Sequence, residues 1–298
     1  MRLVTFRAEG KSSRLGAIVG DSVVDLAAAS GGTLPADMLA FIQAGPGALA
    51  RAREVLDRNP AGEPLSSVEL LAPIPRSQRN LLCLGLNYRD HAAEGAKVFG
   101  TQPTEPTFPM FFTKAPTTVI GPGAAIEIDS NLTKEVDWEV ELAVIIGTGG
   151  RDVPKDATLP HVFGYTIAND ISARDLQFRH GGQFFKGKSL DTFCPLGPWI
   201  VTADEFDGFP SLDISLKLNG VQKQHSNTSK LIFDIPTTIA ALSEGMTLEA
   251  GDVILTGTPE GVGFARTPPE FLKDGDVVEC SVQGIGTLSN PVRERSAT

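Results

Sequence analysis

Asp137-Trp138-Glu139-Val140-Glu141-Leu142-Ala143-Val144-Ile145-Ile146 is the stretch on which the reading of this chain turns. Side chains alternate across a strand, so Trp138, Val140, Leu142, Val144 and Ile146 share one apolar face. The opposite face then carries Asp137, Glu139 and Glu141, ahead of Ala143 and Ile145. Carboxylates this close on one face repel each other unless protons, cations or a metal compensate them. Glu139 and Glu141 lie about 7 Å apart along such a strand, so two long side chains can converge on one ion. Taken alone, the stretch also reads as an acidic, solvated edge.

The surrounding chain has 298 residues, enough for one big domain or a large one with a small appendage. It is 41% hydrophobic, with 31 Gly and 21 Pro and few aromatics other than Phe, a composition that suits a β-rich, turn-rich protein. The net charge of −10 argues against nucleic acid or an anionic membrane as partner. An anionic substrate would need a local positive centre. Cys83, Cys194 and Cys280 are far apart and form no CxxC, so neither a disulfide framework nor a zinc site is indicated. The opening MRLVTFRAEG has no apolar signal region, and no run approaches the roughly 18 apolar residues of a membrane span. The expectation is a soluble cytoplasmic protein.

Residues 1–75 read as a small α+β unit. Leu3–Phe6, Ala17–Val19 and Val23–Leu26 predict strands, the last two joined by a tight hairpin at Gly20-Asp21. Thr33 and Pro35 predict a helix start, and Pro46 predicts a second helix. The proline-bearing link Leu71–Arg76 marks the expected boundary to a second domain, 76–298. There the texture changes to short strands broken by glycines. Asn87 reads as the N-cap of a short helix ending at Gly95, and 96–109 as a polar loop suited to a cover. Leu218-Asn219-Gly220-Val221 signals a type I′ hairpin, and Ile235–Met246 is the best-formed helix of the second half.

Three groups could carry chemistry. Glu139, Glu141 and Asp170 are hard oxygen ligands, suited to Mg²⁺ or Mn²⁺ with positions left for water and substrate. Asp170 also reads as a helix N-cap. His91 and Glu94 stand at i and i+3, where a carboxylate can orient an imidazole, or where the two form a plain surface pair. Lys188 lies in a glycine-rich loop that lacks the spacing of a phosphate-binding loop, and no Ser sits in a GxSxG elbow.

Five stretches, in order, resemble the fumarylacetoacetate hydrolase family: Leu84–Glu94, Trp138–Ala143, Ala168–Gln177, Gly187–Phe193 and Leu255–Gly263. The likeness runs from about Asn80 to Val292 and is nearest to two-domain bacterial acylpyruvases and oxaloacetate decarboxylases. The resemblance implies an α+β, mostly β fold: a small N-terminal domain followed by a mixed β-sandwich roll. It implies Mg²⁺ or Mn²⁺ on Glu139, Glu141 and Asp170, with His91, Glu94 and Lys188 catalytic. It also implies substrate contacts at Arg174, Gln177 and Thr258, and a homodimer. The function it suggests is metal-dependent C–C hydrolysis of 2,4-dioxo acids to pyruvate and a carboxylic acid. Oxaloacetate decarboxylation and hydroxymuconate-type isomerisation are the alternatives on the same residues, since all three pass through one enolate.

Overall fold

The Val140–Ile146 strand lies deep inside a twelve-stranded sheet. Val162–Asn169 pairs antiparallel on one side of it and Val253–Leu255 on the other. Outward on the first side comes Cys194–Thr202, then Arg2–Ala8. Outward on the second come Leu81–Gly85, in parallel, and Met110–Lys114. A second, five-stranded sheet runs in the order Val221–Asn227, Asp213–Leu218, Val277–Val282, Gly286–Glu294, Ile126–Ile128. This computed structural model describes residues 1–98, 100–102 and 105–295. Phe99, Pro103 and Thr104, inside the expected cover, and the last three residues of the expected second domain lie outside the described residues.

The alternation read from the sequence sorts the central strand between two cores. Trp138, Val140, Leu142, Val144 and Ile146 meet Ile214, Leu216, Val278 and Cys280 of the smaller sheet. Ala143 and Ile145 face the other way, onto a cluster holding Met38, Phe41, Ile42, Ala52 and Val55. Each large aliphatic side chain so buried contributes about 1.5–3 kcal/mol. With both faces covered, the strand cannot be a solvated edge, and Glu139 and Glu141 are only 5% and 1% exposed. The first 75 residues share this second core, and their sheet is continuous with the main one through the pairing of Leu3 with Ile200.

Local details depart from the sequence reading in instructive ways. The helix Met38–Gln43 is capped by Asp37, whose side chain accepts from the Ala40 amide, rather than by Thr33. The strand read as continuous from Asp137 divides into Val136–Asp137 and Val140–Ile146. The short pair Val136–Asp137 and Ser172–Ala173 forms its own two-stranded ribbon. Asn219 and Gly220 have φ of 52° and 77°, the left-handed pair that a type I′ turn requires. All three cysteines are free and buried, Cys83 and Cys194 in the helix-covered core and Cys280 between the sheets. No described helix is long and apolar enough to cross a membrane.

Candidate active site

The site forms where strand ends from distant parts of the chain meet. Glu139 and Glu141 come from the break and start of the central strand. Asp170 follows the end of Val162–Asn169, its amide donating to the Glu139 carbonyl at 2.8 Å. That pairing sets the two strand ends side by side. One carboxylate oxygen from each of Glu139, Glu141 and Asp170 lies within 4.8 Å of the others, and all three residues are buried. Asp170 therefore serves the site and caps no helix. The helix that follows, Arg174–Arg179, has Ala173 at its N-cap position with no side-chain bond.

Cations close around this triad. The Lys188 ammonium reaches Glu139 and Asp170, each at 2.8 Å. Arg174 bridges Asp137 at 2.8 Å and Glu139 at 2.7 Å, and its Nη1 donates to Gln177 at 3.1 Å. Lys114, fully buried, donates to Asp170 Oδ1 at 2.6 Å and to the Ile171 carbonyl at 3.1 Å. The Gly257 amide donates to Glu141 at 2.6 Å.

These contacts set the ionisation. Burial alone would push Glu139 up, but Lys188, Arg174 and His91 together hold it at about 2. Glu141 is instead pushed well above the usual carboxylate range, by burial and then by Asp170 and Glu139. Burial favours a neutral Lys188, but Asp170 and Glu139 outweigh it and raise the ammonium above its ordinary value. Four buried carboxylates, Asp137, Glu139, Glu141 and Asp170, thus face three buried cations. Among the described residues, no side-chain cation is in contact with Glu141. An oxygen-only donor set with this excess of negative charge fits a hard divalent cation.

The small helices hold their places through close backbone contacts. Phe185–Lys188 packs on Arg174–Arg179 at Gly187, where any Cβ would overlap the backbone of Gln177 and Ala173. Only glycine allows the approach that brings Lys188 to the triad.

His91 and Glu94 approach from a different element, the surface helix Arg89–Val98. His91 Nδ1 stands 3.4 Å from Glu94, and Glu94 accepts from the Gly261 amide at 3.1 Å. Asn87, expected as this helix's N-cap, instead ties two loops together. Its side chain donates to the Phe233 and Thr256 carbonyls and accepts from the Phe233 amide. That clamp fixes the bend at Leu86, whose φ is 52°. A cavity of 110 Å³ joins the two ends of the site, with His91, Glu139, Arg174, Gln177, Lys188 and Thr258 all in its wall. Of the residues singled out from sequence, Glu94 and Asp170 touch residues of this wall, and Glu141 holds a carboxylate oxygen within 4.8 Å of those of Glu139 and Asp170.

Three buried residues were not assigned from sequence. Lys114 ends the strand Met110–Lys114 and Gln224 lies on the strand Val221–Asn227, and no motif in the sequence marks either. Alternation set Asp137 beside Glu139 and Glu141 with no role of its own, and in the structure it turns away to accept from Arg174 and from the Gly263 and Phe264 amides.

The comparisons with known proteins agree with this geometry. The family pattern described as fumarylacetoacetate (FAA) hydrolase C-terminal matches residues 80–293. The chain belongs to the fumarylacetoacetate hydrolase family. It is 46% identical to the oxaloacetate tautomerase YisK of Bacillus subtilis over 268 residues, 87% of each chain. It is 42% identical to the mitochondrial oxaloacetate tautomerase fahd2 of Xenopus laevis, covering 98% of this chain and 90% of the relative. Among solved structures, the maleylpyruvate hydrolase of Sphingobium sp. SYK-6, in complex with manganese(II) and pyruvate, is 32% identical with a TM-score of 0.80. That match covers 99% of this chain and 100% of the other. The α+β, mostly β sandwich roll expected from sequence is thus the fold of the family and of this chain.

Proposed function

We propose that this family member moves a proton between carbon and oxygen of a 2-oxo diacid, as a keto–enol tautomerase of oxaloacetate. The observation that carries the reading is one acid and one base facing a single small cavity. Lys188 is held as an ammonium by Glu139 and Asp170, and His91 stands opposite with Glu94 behind its Nδ1. The names of the relatives at 46% and 42% identity favour oxaloacetate as the substrate.

In this reading Glu139, Glu141 and Asp170 would hold Mg²⁺ or Mn²⁺, which when bound would act as a Lewis acid toward the 2-oxo acid. The protein's own residues do the rest. With its Nδ1 proton directed at Glu94, His91 has a lone pair on Nε2 and takes a proton from C3. The C–H electron pair becomes the C2–C3 double bond, and the carbonyl pair moves to the C2 oxygen. The Lys188 ammonium faces that developing charge and gives the oxygen a proton to form the enol, and the proton held by His91 then returns to Lys188 through solvent. Reversing the steps returns the keto form. The aromatic wall keeps water away from the carbanion.

That wall also favours a second reading. Leu84, Leu86, Phe112, Phe178, Phe184 and Phe264 line the cavity, a surface suited to an apolar acyl group. His91 would then activate water for C–C hydrolysis of a 2,4-dioxo acid, with the C3–C4 electron pair leaving as the enolate of pyruvate, which is protonated at C3. A homodimer accompanies either reading, and sedimentation velocity measures it.

The deciding experiment supplies the purified protein with Mn²⁺ or Mg²⁺ and two substrates. Decay of enol-oxaloacetate is followed by ultraviolet absorbance, and pyruvate release from acylpyruvates by a coupled assay. Fast enol decay with little pyruvate is the expected result. Efficient pyruvate release with enol decay at the uncatalysed rate would replace tautomerisation by hydrolysis.

A further inference from the structure

The cavity wall changes character between its inner end and its mouth. At the inner end two cations face the triad, and each is backed by an aromatic ring. Lys188 Nζ lies 5.2 Å from the centroid of the Phe112 ring, and the Arg174 guanidinium carbon lies 4.4 Å from that of Phe264. Each of these rings meets a second one edge to face. Phe112 meets Phe184 at 5.4 Å between centroids, and Phe264 meets Phe178 at 6.4 Å. Phe178 is 46% exposed, so the second row reaches the surface. All four rings line the cavity, with Leu84 and Leu86 beside them. Among the described residues, the lysine and arginine side chains in this wall are Lys188 and Arg174, and both are already bound to buried carboxylates.

Such a wall treats the two ends of a 2-oxo acid differently. The carboxylate and the 2-oxo oxygen belong with the cations, which leaves the substituent on C3 among the rings. A second carboxylate there keeps its water only at the mouth, whereas a flat apolar ring gains buried area and edge-to-face contacts along the wall. We propose that the protein also tautomerises arylpyruvates, 2-oxo acids with an aromatic ring on C3, and that Phe178 and Phe184 hold that ring. The inference rests on the keto–enol reading of the site and adds a substrate class to it. The bonds change as they do for oxaloacetate. The C3–H bond breaks toward His91, its electron pair becomes the C2–C3 double bond, and the C2 oxygen takes a proton from Lys188. Substrate and product are isomers, so no oxidant or co-reactant is needed. The new double bond is conjugated with the aryl ring, and the enol is flat as a result.

The test follows the decay of enol-phenylpyruvate and of enol-oxaloacetate by ultraviolet absorbance on the Mn²⁺-loaded protein, each against its rate without protein. Enol-phenylpyruvate should be consumed with a kcat/KM within about tenfold of that for enol-oxaloacetate. Phe178→Arg puts a cation where a ring stood. It should lower the phenylpyruvate-to-oxaloacetate ratio of kcat/KM about tenfold or more, whereas Phe178→Tyr, which keeps a ring, should hold the ratio near that of the wild type. Phe184→Ala should lower the ratio as well, and thermal unfolding verifies that each variant is folded. Enol-phenylpyruvate decaying at the uncatalysed rate while enol-oxaloacetate is consumed overturns the proposal and leaves oxaloacetate tautomerisation standing. Enol-phenylpyruvate consumed while enol-oxaloacetate decays at the uncatalysed rate would refute oxaloacetate as the substrate and leave the proposal standing. Neither enol consumed overturns both. A ratio unmoved in folded Phe178→Arg and Phe184→Ala overturns the assignment of these rings to the substrate.

Discussion

The two ends of the cavity are built in opposite ways. At the carboxylate end, Glu139, Glu141 and Asp170 sit at strand ends of the main sheet. Lys114, Lys188, Arg174 and the Gly257 amide hold them with contacts of 2.6–2.8 Å. At the imidazole end, His91 and Glu94 ride on one surface helix. Their mutual contact is 3.4 Å, and the Lys230–Asp90 ion pair near them is about half exposed on each side. The buried charges are anchored in the sheet, whereas the group proposed to meet and release substrate hangs on a helix whose buried residues are His91 and Gly95. Opening free energies follow such differences in burial and hydrogen bonding. Amides of Arg89–Val98 should accordingly exchange much faster than those of Val140–Ile146, and slow when oxalate binds.

The strongest way to break this contrast is to remove Asp170. Asp170→Ala should abolish Mn²⁺ binding in calorimetric titration and lower unfolding free energy by about 3–5 kcal/mol, because Lys114 and Lys188 lose a shared buried partner. Glu141→Gln, with no lysine or arginine in direct contact, should lose the ion and keep the fold. Wild-type Mn²⁺ affinity in either variant would remove that residue from the coordination shell. At the other end, His91→Ala should cut kcat/KM about 10²–10⁴-fold. Its Mn²⁺ affinity and denaturation midpoint should remain those of the wild type. A parallel loss of metal affinity would mean that the two ends are one unit.

Metal itself sharpens the comparison at a smaller scale. At about 100 times its dissociation constant, Mn²⁺ should stabilise the wild type and His91→Ala by ~2.7 kcal/mol. Asp170→Ala should gain nothing, and a gain of the same size there would place the ion elsewhere. The smallest effect belongs to the exposed pair Lys230–Asp90, 3.0 Å long. Asp90→Ala should leave the denaturation midpoint unmoved, since exposed pairs contribute little. It should still speed exchange in the Arg89–Val98 amides, and unchanged exchange would show that this pair does not hold the helix down.

Legibility in the sequence followed the range of the interaction. The strand alternation from Trp138 to Ile146 was readable because a period of two is local, and it identified the apolar face that meets the smaller sheet, but not the second core under Ala143 and Ile145. The type I′ turn at Asn219-Gly220 was readable for the same reason. The candidate site residues stood out through their motifs, since chemistry restricts residue type where packing does not. Lys114 was hidden because its importance comes from Asp170, 56 residues away, and nothing near it in sequence marks it as buried. Gln224 was hidden likewise, its partners Val140 and Pro259 lying 84 and 35 residues off. Asn87 was misassigned because a local rule offered it a helix-capping role that tertiary contacts to Phe233 and Thr256 displaced.

The buried cysteines give the molecule a built-in reporter. Burial first, then the nearby Asp170, pushes the Cys83 thiol up, and burial pushes Cys194 up to about 12 and raises Cys280 as well. A thiol that is both inaccessible and protonated does not react with alkylating or disulfide reagents. Labelling therefore waits for the layer above each one to open. Cys83 and Cys194 clock the separation of helices from the main sheet, and Cys280 clocks the parting of the two sheets. Mass spectrometry of the modified peptides would then time the two openings separately, in the unaltered protein and without an engineered probe.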